Sequence, residues 1–278
     1  LLLSTETASM VAVPLPGGIP SFSISTKPGL AENNTPGMFR IPMPLSGWPH
    51  MTPFILDNVK FEPDVPSLIE KLRIDPAGPD AESFARLADE AAAAARPKAL
   101  YRLAFIDDRG DDFIIVDGVR LSSTVLAINT AAVHRVFPYV ATCGMEMEEW
   151  SHGVGDMLLS YYADVLKEAA LRCAADALLR HMREAFDLGS LSTMNPGSLK
   201  DWPIQEQRPL FSILGDPEKA VGVRLTDSFL MFPVKSISGI RFTADTEFIN
   251  CSLCPRTVCS GRRAPYDPET HRAGYAMK

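Results

Sequence analysis

"AVGVRLTDSFLMFPVKSISGIRF" occupies residues 220–242, and its reading decides the fold. AVGVRLTDSFLMFP (220–233) and KSISGIRF (235–242) read as two strands. The link between them is too short for the crossover that a parallel pair needs. Upstream, LYRLAFIDD (100–108) and DDFIIVDGVRLSS (111–123) read as two strands around the tight turn DRG. VFPYVATCG (136–144) reads as another, ending at Gly144, and FILDNVKFEPDV after Met51 as a short strand and turn. Most links are short, and no strict βαβ order or internal repeat runs through the chain. The expected class is α+β: a single domain with a twisted, mainly antiparallel sheet, one long helix and flanking helices.

The long helix is DMLLSYYADVLKEAALRCAADALLRHMREAF, 156–186. Leu158, Tyr162, Val165, Leu166, Ala169, Cys173 and Leu178 form its expected apolar stripe, with Cys173 a small buried residue. PDVPSLIEKLRI (63–74) places Val65, Leu68, Ile69 and Leu72 on one helical face. Asp80 is the expected cap of a helix over AESFARLADEAAAAA, which Pro97 stops. IQEQRPLFSILG is helical, with Asp201 capping it and Pro203 in its first turn.

The chain has 278 residues, 46% hydrophobic, with a formal charge of -7. That balance argues against a general nucleic-acid binder, which needs a basic face. No apolar run is long enough to span a membrane as a helix. Residues 1–50 scatter proline and glycine without period. They read as an irregular arm, or as sequence upstream of a natural start at Met51. The five cysteines, an odd number with no secretory signal at Leu1, point to a reducing, cytoplasmic setting.

Leu225, Thr226, Asp227, Ser228, Met231, Pro233, Ser236, Ile237, Ser238 and Gly239 follow the pattern L-T-E-S-x-x-M-x-P-x-x-S-V-S-G. This resembles the reactivation (activation) domain of cobalamin-dependent methionine synthase. The turn at Thr142 and Gly144 and the helix after it also sit where that family has them, so the resemblance covers roughly residues 100–245. It implies an activation-like domain over 51–245 that binds S-adenosylmethionine and meets a corrinoid protein or methyltransferase. The family's R-x-x-x-G-Y motif falls on Thr193, Gly197 and Ser198, which lack the arginine fork and the aromatic face. The groove the resemblance implies is lined by Asn195, Pro196, Gly197, Ser198, Lys235, Ser236, Ser238 and Gly239. Read without the resemblance, Gly197 and Ser198 form a turn or an anion-binding nest, and Gly239 marks a bulge or a close backbone approach.

Where the family's C-terminus would stand, residues 246–278 form a cysteine-rich tail expected to pack on the same domain. Cys251, Cys254 and Cys259 make C-x2-C-x4-C, a spacing that lets a short loop wrap a metal or cluster. Cys143, at a strand end, is the candidate fourth ligand, and a buried cysteine filling a gap is its plain alternative. A [4Fe–4S] cluster and structural zinc both suit such ligands. His271 is a distant alternative, and Arg256, Arg262 and Arg263 either tune the site or form a solvated basic tail. Corrinoid reactivation needs a low-potential electron, which favours iron–sulfur once the resemblance is accepted. The expected function is therefore an iron–sulfur activator or electron-transfer accessory of a corrinoid methyltransferase. A partner's cobalamin or S-adenosylmethionine would be the small molecule. The alternative is a non-redox metabolite- or protein-binding module stapled by zinc. Glu146, Glu148, Glu149 and His152 read as an acidic turn, and no hydrolase or nucleotide motif occurs.

Overall fold

The computed structural model describes residues 52–243, 250–259, 262 and 264–269. The 1–50 arm, Arg263 and His271 lie outside them. β6 (Arg135–Thr142) is the spine of an eight-stranded sheet. Along one edge it pairs β10 (Ser236–Thr243), from Ser236↔Thr142 to Arg241↔Phe137. Along the other it pairs β2 (Lys98–Tyr101) and then β3 (Ala104–Arg109). β1 (Phe54–Leu56) extends β2, and β4 (Phe113–Val116) and β5 (Val119–Ser122) extend β3. β7 (Leu191–Met194) pairs the far side of β10. Every pairing is antiparallel, so the fold is α+β with a curled antiparallel sheet, as the short links require.

Two expected strands divide. The chain from 100 to 108 changes partner stretch at Arg102–Leu103, giving β2 and β3. Residues 111–123 fold back at Asp117–Gly118, both with positive φ (46° and 79°), as a tight hairpin turn demands. That Asp-Gly pair is a hairpin signal the single-strand reading passed over. The expected 220–233 strand also breaks up. Ala220 and Val221 end the helix α7 (Pro217–Val221), which the αL residue Gly222 (φ 75°) closes. Only β8 (Arg224–Leu225) and β9 (Met231–Phe232) remain, as a separate two-stranded ribbon.

Helices cover both faces. α1 (Val65–Leu72) and α2 (Pro79–Ala94) precede the sheet, and α5 (Met157–Phe186) crosses one face. At about 1.5 Å per residue α5 runs about 45 Å. Its Ala174, Leu178 and Met182 pack on Tyr101, Phe137 and Tyr139. The buried stripe differs from the expected one: Ala163, Lys167, Ala170 and Ala174 face inward, while Leu158 is exposed and Val165, Ala169 and Cys173 are half-buried. α2 and the 145–152 segment both pack on the helix, so its covered surface is set by neighbours rather than by its own apolar residues. The opposite sheet face packs α3 (Thr124–Asn129) and α6 (Gln207–Leu214) with Trp202. The N-cap of α2 is Gly78, with Asp80 inside the first turn. The expected acidic turn is α4 (Met145–His152), whose Glu148 is buried.

Candidate functional site

Thr142, Cys143 and Gly144 end β6 beside the start of β10. Thr142 Oγ1 accepts from Gly144 N (3.1 Å) and from Ser236 Oγ (2.9 Å). Cys143 N donates to Lys235 O (3.0 Å). Lys235 reaches across to α5 and pairs Asp164 (2.8 Å) and Glu168 (3.6 Å). Ser238 is buried and donates to Gln207 Oε1 (3.3 Å). The hydroxyls and the amine expected to line a groove thus hold β10 to its neighbours.

The 194–198 segment is a closed turn. Gly197, at φ 82°, donates its N–H to Trp202 O (2.7 Å), and Ser198 N donates to Asn195 O (3.2 Å). Pro196 is buried. Asn195 lies against Gly239: a Cβ there would collide with Met194 O and stand 2.6 Å from Asn195 Nδ2. That amide nitrogen donates to Tyr139 OH and to Ser238 O, both at 2.8 Å. Gly239 therefore marks a close approach, made by this chain's own Asn195. Thr193, at the position where the resemblance calls for arginine, faces Arg241 across the β7–β10 pair. Asp201 caps a different helix from the expected one. Its carboxylate accepts from Ser123 Oγ, Thr124 N (3.2 Å) and Val125 N (2.9 Å), so it holds the start of α3.

The tail meets this region. Asn250 Nδ2 donates to Asn195 Oδ1 (3.5 Å), and Leu253 is buried in the core with Trp202, Met194 and Leu210. Cys251 and Cys254 lie on the turn just beyond and are half-buried, while Cys259 is exposed. Cys254 N donates to Cys251 O (3.3 Å) and Arg262 N to Cys259 O (3.2 Å). The Arg262 guanidinium also donates to Cys251 O, Cys254 O and Ala264 O at 3.1–3.3 Å, and to Arg256 O. An arginine the sequence reading assigned to tuning or solvent thus pins the loop backbone.

Cys143 sits elsewhere. It is fully buried with Phe84, Met147 and Leu166, and its Sγ donates to Gly144 O (3.6 Å). Burial first, then the charge of Glu148, pushes its thiol up to about 12. Its neighbour Lys235 is four residues from Gly239, or about 13 Å of strand, and Gly239 is where Asn195 and the tail's Asn250 dock. Thiolates on one ion must converge within a few ångströms. Among the described residues no three histidine, cysteine, aspartate or glutamate side chains are grouped to hold a metal ion. The expected Cys143/Cys251/Cys254/Cys259 set is therefore not assembled here. The acidic group near His152 holds an ion pair instead: Glu148 meets Lys167 (3.4 Å) and His152 (3.6 Å).

No family model and no curated protein matches the chain. A solved structure does: "Crystal Structure of the MetH Reactivation Domain bound to AdoHcy". The two share 16% identity with a TM-score of 0.51, over 72% of this chain and 81% of that one. At that identity the likeness shows the fold. The chain has a fold like the MetH reactivation domain, the resemblance its 225–239 residues carried. Among the described residues no helix is long and apolar enough to cross a membrane.

Proposed function

We propose that this protein is an accessory module of a corrinoid methyl-transfer system. It binds a small S-adenosyl ligand, or part of a partner's cobalamin, around Asn195 and the β7–β10 edge. The observation that supports this is a tail carrying C-x2-C-x4-C, seated by Asn250 on Asn195, in a fold like the MetH reactivation domain. In this reading Cys251, Cys254 and Cys259 hold a [4Fe–4S] cluster and Cys143 stays in the core. The cluster is supported by the C-x2-C-x4-C spacing on one loop whose backbone Arg262 fastens; the three side chains are not grouped in the described structure, so the cluster itself would draw them together. Such a cluster supplies a low-potential electron, the kind that cob(II)alamin needs for reactivation; zinc does not.

Anaerobic purification with iron, sulfide and zinc analysis tests the redox reading. A brown protein holding iron and sulfide, lost in Cys254→Ser and kept in Cys143→Ser, is the expected result. A colourless protein with stoichiometric zinc overturns it and leaves the second reading, a non-redox module whose tail zinc fastens. The half-exposed thiols of Cys251 and Cys254 are the observation that keeps that second reading open to zinc.

A further inference from the structure

Asn250–Leu253 is a single 3-10 turn, and it sorts the tail's residues into columns. Such a turn has three residues per revolution, so side chains three apart stand one above the other. Asn250 and Leu253 are one such pair. Both are buried, Asn250 on Asn195 and Leu253 against Trp202 and Leu210. Cys251 and Cys254 are the next pair, and Cys254 N donates to Cys251 O (3.3 Å), which continues the same bonding. The seated column therefore sets the direction of the other. The two thiols leave one side of the turn, both half-buried. At a rise of about 2 Å per residue their Cα atoms lie about 6 Å apart. A disulfide spans about 4.4–6.8 Å between Cα atoms. The backbone here is also held from outside the turn. The Arg262 guanidinium donates to Cys251 O and Cys254 O, both at 3.3 Å, and Asp267 N donates to Ser252 O (2.8 Å). The other thiols lie elsewhere: Cys143 is sealed in the core, Cys173 donates to Lys60 O (3.0 Å), and Cys259 is exposed. A metal site needs three or four ligands drawn together, whereas a disulfide needs only the pair that the turn already aligns.

We propose that Cys251 and Cys254 form a reversible thiol–disulfide pair, and that closing it takes two of the tail's three thiols away from a cluster. The inference rests on the cluster reading above only for its second half. The oxidant is a small-molecule disulfide, of the kind that oxidised glutathione represents. One cysteine thiolate attacks a glutathione sulfur, which forms a mixed disulfide and releases one glutathione. The other cysteine attacks the protein sulfur of that bond, and the second glutathione leaves. Two electrons pass from the protein to the oxidant, and the two thiol protons end on the two glutathiones.

Full-length, metal-free protein is equilibrated with glutathione redox buffers, quenched with an alkylating agent and cut with trypsin. Cleavage after Arg256 separates residues 242–256, which carry Cys251 and Cys254, from 257–262, which carry Cys259. Under oxidising buffer the 242–256 peptide should be unlabelled and lighter by two hydrogens, with Cys259 alkylated. Cys254→Ser should instead trap glutathione on Cys251. A link from 242–256 to 257–262, or alkylation of both Cys251 and Cys254, overturns the pair. The closing constant should be at least about tenfold higher in folded protein than in guanidinium, because the turn raises the effective concentration of one thiol at the other. Equal constants overturn the role of the turn. Anaerobic loading with iron and sulfide then separates the inference from the cluster reading. The reduced protein should take up a cluster and the closed form should not. If the disulfide closes but neither form loads, the pair stands and the cluster reading falls. If the reduced protein loads but the disulfide never closes, the pair falls and the cluster reading survives. Equal loading of both forms overturns the regulation.

Discussion

Cys143 and Cys259 share a side chain and almost nothing else. Cys143 is sealed in the core with its thiol pushed up to about 12, so at pH 8 only about one in ten thousand is ionised. Cys259 is exposed. Brief alkylation of the native, metal-free protein should therefore label Cys259 and spare Cys143, as peptide mass mapping would show. Equal labelling of the two would mean that the core around Cys143 opens readily. At the same scale, Gly239→Ala forces a methyl group onto Met194 O and the Asn195 amide. Both belong to packed backbone or a doubly bonded side chain, so neither can move cheaply. The expected loss is about 1–3 kcal/mol in denaturant unfolding. An unchanged midpoint would show that β7 can shift away from β10.

At the scale of elements, cross-chain polar contacts decide how helices meet the sheet. Asp201 caps α3 from a loop more than seventy residues away, alongside Ser123, whose own hydroxyl accepts from Leu126 N (2.9 Å). Asp201→Ala should cost about 1–2 kcal/mol in urea unfolding, and Asp201→Asn less, because an amide oxygen still accepts. Equal costs would point to charge rather than capping. Lys235 ties β10 to α5. Glu168 lies below the usual carboxylate range, first because Arg172 hydrogen-bonds it and also because Lys235 is near. Burial pulls Lys235 down, but its bonds to Asp164 and Glu168 outweigh that and leave it above its usual value. The depressed carboxylate stabilises above its unfolded pKa and loses that contribution as pH falls through the folded one. The raised lysine stabilises below its unfolded pKa and loses that as pH rises through the folded one. Lys235→Met should lower Tm most between about pH 5 and pH 10, with the gap closing on both sides. Half-exposed partners hold the effect below about 1 kcal/mol. A gap constant with pH would assign the loss to packing instead.

Across the whole molecule, the tail is fastened by its first turn. Leu253 is 4% exposed among Trp202, Leu210 and Phe242. Leu253→Ala should cost about 2–4 kcal/mol of global stability in chemical denaturation. If the cysteine loop were a free appendage, that substitution would change nothing measurable. Leu253 in the core and Asn250 on Asn195 thus fix where the tail's first turn sits.

Much of this was legible in the chain. The period of 156–186 marked α5, the short links made the sheet antiparallel, and residues 225–239 carried the resemblance that the fold bears out. Those features are local, written in periodicity, spacing and turn residues, and a linear reading reaches them. The buried side of α5, the helix that Asp201 caps, the partner that fills the space over Gly239, and the separation of Cys143 from the tail were not legible. Each depends on which residues meet across the sheet. Sheet register decides that, and many long-range contacts cooperate to fix it, so only the folded chain shows it.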